Sequence, residues 1–558
     1  MIKSFKWQLI IILVAGLIIG ILLLSEQTGF RLVSPVPARG GIYTEGIVGR
    51  LQRLNPVLDY YNQADRDVNR LVFSSLIKFD ASGKPISDLA ENWGVSFDGL
   101  YYNFEIRENA YWHDGTPVTA EDVLFTIELM RDADSVLPED IKEFWSQIEV
   151  HVLSEKALQF RLNEPFAPFI NYLSFNILPQ HLLGGMTYNQ IINSEFNINP
   201  VGSGPYQFDR LIIEENQIRG VSLMANASYY GKVPFIQEFI FRYYPDVESA
   251  FNAYLQGDIN GIGELNEAVI IDALRNPSLS VYSMVKPEIA MVLLNLDNDS
   301  FPFFQDKDVR RALLMGIDRR GMIDSILNGQ GVIADVPLLP NSWAYYNGNE
   351  RIDHNTETAQ DILDNAGYEV EAESDGIRRK DGIALSFTLT HPQDDYHTRI
   401  AQSIQSDWAK LGVKVQLQGV PYDSLILDHL QPLIYQAALV DINYYRFPDP
   451  DPYPFWDRTQ IGDGQNYSQW NNDVVSQYLE EARVTSDLDK RAKLYRNFQV
   501  IFIEEMPALP LFYPVYSFAV DDAIQGIRIG PMFDASDRFW NVGEWFLLAE
   551  TSPGRPRE

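Results

Sequence analysis

Two hydrophobic periods lie back to back between Ala401 and Leu417. Ala401, Ile404, Trp408 and Leu411 recur at the spacing of a helical stripe, Gly412 stops it, and Val413, Val415 and Leu417 then alternate as a strand does. Just upstream Leu385, Phe387 and Leu389 alternate in the same way, after a helix that ends at Ala366-Gly367. Val309, Ala312, Leu313, Gly316 and Ile317 make another buried helical stripe. Thr119, with Asp122 as its box-like partner, can cap a helix carrying Val123, Ile127 and Met130 on one face. Asp487 opens a long helix through Phe502 that Met506-Pro507 and Pro510 halt. Helices interleaved with strands over a 558-residue chain predict a large α/β protein built of lobes. At roughly 100–200 residues per domain, it should hold about three domains or a few intertwined lobes. From Gly40 onward no repeat, low-complexity block or long charge run interrupts the pattern, so the body reads as one architecture.

Before that body, Lys3 and Lys6 precede an apolar, charge-free run at 9–24, with Trp7 at its entry and Ser25 and Glu26 at its exit. A cleavable signal has an apolar stretch of about 7–15 residues and a spanning helix needs about 20. This run is intermediate and, with Trp7 and Ser25, just crosses a bilayer. No small-x-small pair follows it directly, Val36-Pro37-Ala38 has proline between its small positions, and there is no lipid-accepting cysteine. Retention as a single-pass anchor in the cell membrane is therefore expected, with Lys3 and Lys6 inside and the body on the extracytoplasmic face. Ser34-Pro35-Val36-Pro37 reads as a short stiff stalk. The net charge of −32 repels phosphates and anionic headgroups, which argues against a nucleic-acid partner. The absence of cysteine excludes disulfides, thiolate metal sites and a Cys nucleophile, and suits an exported chain.

Catalytic templates fit poorly. Gly202-Ser203-Gly204-Pro205 resembles a phosphate loop, but Pro205 removes an amide donor and no Gly-Lys-Ser follows. A G-x-S-x-G elbow is absent. His391 and His397 flank Asp394 and Asp395 between a strand and a helix, where Asp commonly caps, so a capping role is favoured over a metal cluster. Asp297-Asn298-Asp299 lacks the rest of a calcium loop, and His113-Asp114-Gly115 is most simply a turn. Nothing demands an enzyme, and no catalytic, metal or cofactor residue is assigned. The unusual feature is the stretch 443–456, rich in aromatics and carboxylates, with four prolines that bar helix and central strand and imply a rigid loop. Such groups suit a polar organic ligand, by stacking and charge pairing. For Tyr444, Tyr445 and Trp456 ligand contact and packing onto their own lobe both stay open, whereas Phe447 and Phe455 read as structural.

Several motifs, in this order, resemble the extracellular solute-binding proteins of the oligopeptide, dipeptide and nickel class (family 5) that feed ATP-binding cassette importers. They are Leu54-Asn55-Pro56, Asp88-Leu89-Ala90-Glu91-Asn92-Trp93, Trp112-His113-Asp114-Gly115-Thr116-Pro117, Gly202-Ser203-Gly204-Pro205-Tyr206, Asp308-Val309-Arg310-Arg311-Ala312-Leu313 and Asp449-Pro450-Asp451-Pro452. The resemblance spans about residues 40–546 and implies a two-lobed clamp of the periplasmic-binding-protein class II type, with an extra domain inserted in the first lobe. Residues 1–39 would be stub, anchor and linker. The first lobe would comprise 40–65, 196–288 and 508–550, the insert 66–195, and the second lobe 289–507. Crossovers then fall around Lys286-Pro287-Glu288 and Pro507-Ala508-Leu509-Pro510, as plausible hinges.

The function this resemblance implies is a membrane-tethered, monomeric binding subunit that captures a small peptide and delivers it to a permease of the importer. The expected ligand-binding residues are Tyr444, Tyr445, Arg446, Asp449, Asp451, Trp456 and Asn55. Peptide-binding members place an Asp ahead of the Asp-Pro-Asp motif to hold the peptide's amino terminus, and the family's spacing lands on Arg446, which reverses the sign of that anchor. Asp449 or Asp451 would then neutralise Arg446, or the ligand would. An oligosaccharide or other polar solute is the alternative ligand. A sensor without transport is a further alternative, although only a short stub precedes the apolar run.

Overall fold

One long strand, Ala508–Asp521, is shared by both halves of a twelve-stranded sheet. The computed structural model describes residue 37 and residues 39–370, 376–446 and 448–548. The apolar run at 9–24 lies outside the described residues, and among these no helix is long and apolar enough to cross a membrane.

On one side of the shared strand lie, in order, Gly261–Leu265, Ile42–Val48, Glu238–Tyr244, Gln217–Ala225 and Tyr206–Glu214. Ile42–Val48 runs parallel to both its neighbours. On the other side lie Glu288–Leu294, Ala437–Asn443, Ser386–Pro392 and Lys414–Val420, with Ser386–Pro392 parallel to both neighbours. Each half has its own core: Tyr43, Val68, Phe160, Tyr206 and Phe539 are buried in the first, and Val292, Val309, Trp408 and Phe512 in the second. A separate antiparallel sheet, Ala90–Val95, Tyr101–Ile106, Ala157–Arg161 and Glu149–Ser154, belongs to the inserted segment and shares the first lobe's core.

The elements read from periodicity form where the spacing predicts. Thr119 and Asp122 make a capping box at the start of helix Ala120–Met130. Helix Lys307–Gly316 buries Val309, Ala312 and Leu313, and helix Asp395–Lys410 ends before Gly412, whose φ of 78° is left-handed and costs a glycine little. Asp487 caps helix Leu488–Glu505. Within 443–456 the structure departs from a pure loop: Tyr453–Trp456 makes one helical turn. Its prolines sit at the start of that turn, where the missing N–H would have no helical partner anyway.

The two crossovers lie side by side. Strand Leu279–Val285 pairs with the far part of the shared strand, and after Lys286-Pro287 the chain enters strand Glu288–Leu294, which pairs with the near part. The shared strand itself changes partners at 512–515, so its crossover lies there and not at Pro507–Pro510 as expected; Ala508 still pairs with Leu293 of the second lobe. Pro507 instead follows Met506, the left-handed residue that closes helix Leu488–Glu505. Lys286 N–H donates to Pro514 O at 2.8 Å and Tyr444 N–H to Pro287 O at 2.7 Å, which ties both crossovers to the start of the proline-rich loop. The expected boundary between 65 and 66 falls inside helix Gln63–Val72, which is held to the first lobe by Asp67 and Arg538.

Candidate functional site

A cavity of about 460 Å³ opens where three parts of the chain meet. The first lobe supplies Pro56, Asp59, Tyr60, Arg66 and Asp534, the inserted segment Phe144, Trp145, Asn171 and Tyr172, and the second lobe Tyr445, Arg446 and Pro448. Helix Gln63–Val72 projects Arg66 and Arg70 toward the turn at 533–537, where Asp534 and Asp537 each accept an ion pair at 2.9 Å. Local sequence sets that turn, because Asp534 and Asp537 form a capping box on the 3₁₀ turn Ala535–Phe539.

Arg446 occupies the junction. Its backbone is left-handed (φ 63°), and its N–H donates to Phe533 O at 3.0 Å. The guanidinium lies 3.9 Å above the Tyr60 ring, donates to Tyr60 O, and approaches Asp534 at 3.9 Å. Burial and the like charge of Arg66 pull its pKa down, while Asp534 opposes them. The acceptor expected from Asp449 or Asp451 is thus supplied by the other lobe. Tyr445 also lines the cavity.

The remaining candidates have other places. Tyr444 packs edge-on against Phe455 in the second-lobe core and donates its hydroxyl to Pro337 O at 3.0 Å. Trp456 lies fully buried against Phe502, beside a separate cavity of about 220 Å³ in the second lobe. Asp449 is chelated by both terminal nitrogens of Arg491 at 2.7 and 2.8 Å and accepts from Asn171 Nδ2 of the inserted segment. Asp451 pairs with Arg483 at 2.9 Å. Asn55 is buried, donates to Asn197 Oδ1 at 3.1 Å and accepts from the Val57 N–H. Phe447 lies outside the described residues. As for the histidine pair, Asp394 caps helix Asp395–Lys410, and the His397 ring bridges Asp394 and Asp441 at 2.7 Å each.

Sequence reasoning missed Asp59, Tyr60, Arg66 and Asp534, and the aromatic wall of the insert. The Asp-Tyr-Tyr run at 59–61 just after Leu54-Asn55-Pro56 was the available signal. Burial pushes Asp59 up to about 7, against the hydrogen bond from Asn69 and the charges of Arg66 and Arg446. A carboxyl raised above its unfolded value of about 3.9 stabilises the fold fully below that value, and the contribution is lost as pH rises through about 7. Asp59→Asn keeps an acceptor for Asn69 and removes this dependence. The variant is expected to gain about 2–3 kcal/mol over the parent between pH 5 and pH 8, read as a widening gap between their melting temperatures. Parallel melting curves across that range would refute it.

Against known proteins, residues 84–464 match the family model described as bacterial extracellular solute-binding proteins, family 5, middle part. The oligopeptide-binding protein AppA of Bacillus subtilis is 27% identical over 537 residues, 94% of each chain, and the dipeptide-binding protein of Escherichia coli is 25% identical over 83% of this chain and 90% of its own. The solved AppA complex with a nonapeptide superposes with a TM-score of 0.62 over 92% of this chain and all of that one, at 26% identity. NikZ of Campylobacter jejuni, solved with Ni(L-His), gives 0.63 over 90% of this chain and 99% of its own, at 27% identity. With the mixed α/β fold, the order of motifs and a matching model over most of its length, the chain belongs to the family 5 bacterial extracellular solute-binding proteins.

Proposed function

We propose that this chain is the solute-binding subunit of an ATP-binding cassette importer, enclosing a peptide between its lobes without chemical change and presenting the closed clamp to a membrane permease. The supporting observation is the cavity of about 460 Å³ whose wall is drawn from both lobes and the insert. The paired crossovers at Lys286-Pro287 and 512–515 leave few connections to bend, which suits a hinge. A ligand that touches both lobes stabilises the closed state by its differential contacts. Relatives named as oligopeptide- and dipeptide-binding proteins support a peptide, and the relative solved with Ni(L-His) keeps a small non-peptide solute as a second reading. The basic flank and apolar run at 9–24 would tether the clamp to the outer face of the membrane.

Mass spectrometry of what co-purifies with the full chain tests the reading. A peptide is expected, with small-angle scattering reporting a more compact particle on rebinding; conversion of that peptide to new products over hours would contradict a binding role.

Arg446 gives a sharper test. It stacks on Tyr60 across the lobe junction, and Arg66 stands close enough to repel it. Arg446→Ala is expected to weaken peptide binding by about 1–2 kcal/mol, the range for a partly desolvated cation–π contact. A peptide's free ammonium would meet the like charge of Arg446, so acetylated peptides are expected to bind as tightly as free ones. Calorimetry showing strong preference for the free amine, with Arg446→Ala unchanged, would move the anchor elsewhere.

A further inference from the structure

Apart from Asp140, the charged groups on the cavity wall are already matched inside the protein. Arg66 pairs with Asp534, Arg70 with Asp537, Lys78 with Asp88, and Arg446 with Asp534 and the Tyr60 ring, while Asp59 accepts from Asn69. Asp140 stands exposed in the first turn of helix Glu139–Ser146. Beside the polar Asn171, Ser174 and Asn176, the inserted segment contributes an apolar wall: Met130, Ile141, Phe144, Trp145, Tyr172 and Phe175. Phe144 stacks on Tyr172 at 4.4 Å and Trp145 meets Phe175 edge-on at 5.3 Å, so this wall is preformed. Met130 and Trp145 are already buried, but Ile141, Phe144, Tyr172 and Phe175 are only half-buried, and the area they leave in water costs free energy that a charged ligand group could not recover.

One wall atom lacks a partner. Asn171 is fully buried, and its Oδ1 meets no donor among the described residues. The amide cannot turn over to find one, because its NH₂ must face the Asp449 carboxylate, which Arg491 holds in place.

Resting on the solute-binding reading above, we propose that the apolar part of this cavity receives an uncharged acyl or aryl chain carried by an amide-bearing solute, with a solute N–H donating to Asn171 Oδ1. An N-acyl peptide meets both requirements: its acyl chain covers the aromatic wall, and its first amide supplies the donor. It also has no ammonium to set against Arg446.

Two pools of random tetrapeptides, one capped with hexanoyl and one with acetyl, competing for the full chain with mass-spectrometric readout, test this. The hexanoyl pool is expected to bind about 200-fold tighter, because four methylenes leave water. Phe144→Arg, which puts a cation into the wall, should erase that advantage, so that the hexanoyl and acetyl pools bind the variant within about threefold of each other. Equal affinity of the two pools for the parent, or an advantage that survives in Phe144→Arg, overturns the proposal. A neutral secondary amide, N-butylbenzamide, separates this from the wider reading: it should raise the melting temperature of the parent and not that of Phe144→Arg. If it does so while neither pool binds, the peptide reading fails and the apolar site stands; if it stabilises both proteins alike or neither, the site is refuted.

Discussion

Replacing Arg538 by methionine is expected to cost about 3–5 kcal/mol of first-lobe stability at neutral pH, the range for removing one partner of a buried ion cluster. Arg538 is 1% exposed and its guanidinium is shared between two carboxylates. Nε and Nη2 donate to Glu45 Oε1 at 2.9 and 2.7 Å, and Nη1 and Nη2 donate to the two oxygens of Asp67 at 2.9 and 2.7 Å. Glu45 sits on strand Ile42–Val48 and Asp67 on helix Gln63–Val72, so one side chain ties sheet, helix and C-terminal turn together. Methionine fills similar space but leaves two carboxylates in low dielectric without a cation. Burial already raises Glu45 although Arg538 opposes it, so without Arg538 this carboxyl should take up a proton more readily. The loss is therefore larger at pH 8 than at pH 5. Urea unfolding at both values checks this, and a change below about 1 kcal/mol at pH 8 would show that the cluster is not holding the lobe. Because the same turn carries Asp534 and Asp537, the variant should also loosen Arg66 and Arg70 at the cavity rim.

The sequence carried the fold in its local signals and the site only in part. Capping at Thr119, Asp394 and Asp487 and the stop at Gly412 are decided within a few residues, so spacing alone places those helix ends. The crossover in the shared strand was misplaced because Pro507 and Pro510 look like a break, yet strand pairing with Glu288–Leu294 continues past Pro510, with only an irregular register between Ala290 and Met291. Within 443–456 composition marked a loop that reaches the cavity, where Tyr445, Arg446 and Pro448 line it and Tyr444, Asp449, Asp451 and Trp456 do not. Tyr444 follows directly on strand Ala437–Asn443 and buries its ring in the second-lobe core, whereas Tyr445, one position on, enters the turn and reaches the cavity. A single residue decides which face a side chain takes, and the left-handed turn at Arg446 ends the alternation that could have told them apart. The partners of Asp449, Asp451 and Arg446 come from Arg491, Arg483 and Asp534. Those contacts depend on tertiary packing, which periodicity does not encode.

Asp449 then makes the sharpest separation between a binding residue and a structural one. Motif and composition nominated it as a ligand contact, yet its side chain is 4% exposed and gripped by Arg491, itself 1% exposed. Arg491 also donates to the Tyr495 hydroxyl at 2.8 Å and lies over the Trp343 ring at 5.1 Å. Asp449→Ala leaves that guanidinium buried and uncompensated, and is expected to cost about 3–5 kcal/mol in the absence of any ligand. It also frees the Asn171 amide, so the insert loses a hydrogen bond to the second lobe. A ligand-contact role predicts the reverse pattern, an unchanged melting temperature of the unliganded protein with weakened binding. The double change Asp449→Leu with Arg491→Met distinguishes a lost pair from a stranded charge. Replacing both members of a buried pair by apolar groups of similar size is often neutral or stabilising, so the double variant should be more stable than Asp449→Ala by at least about 2 kcal/mol. If the double variant is as unstable as the single one, packing of the loop itself and not the uncompensated guanidinium accounts for the loss.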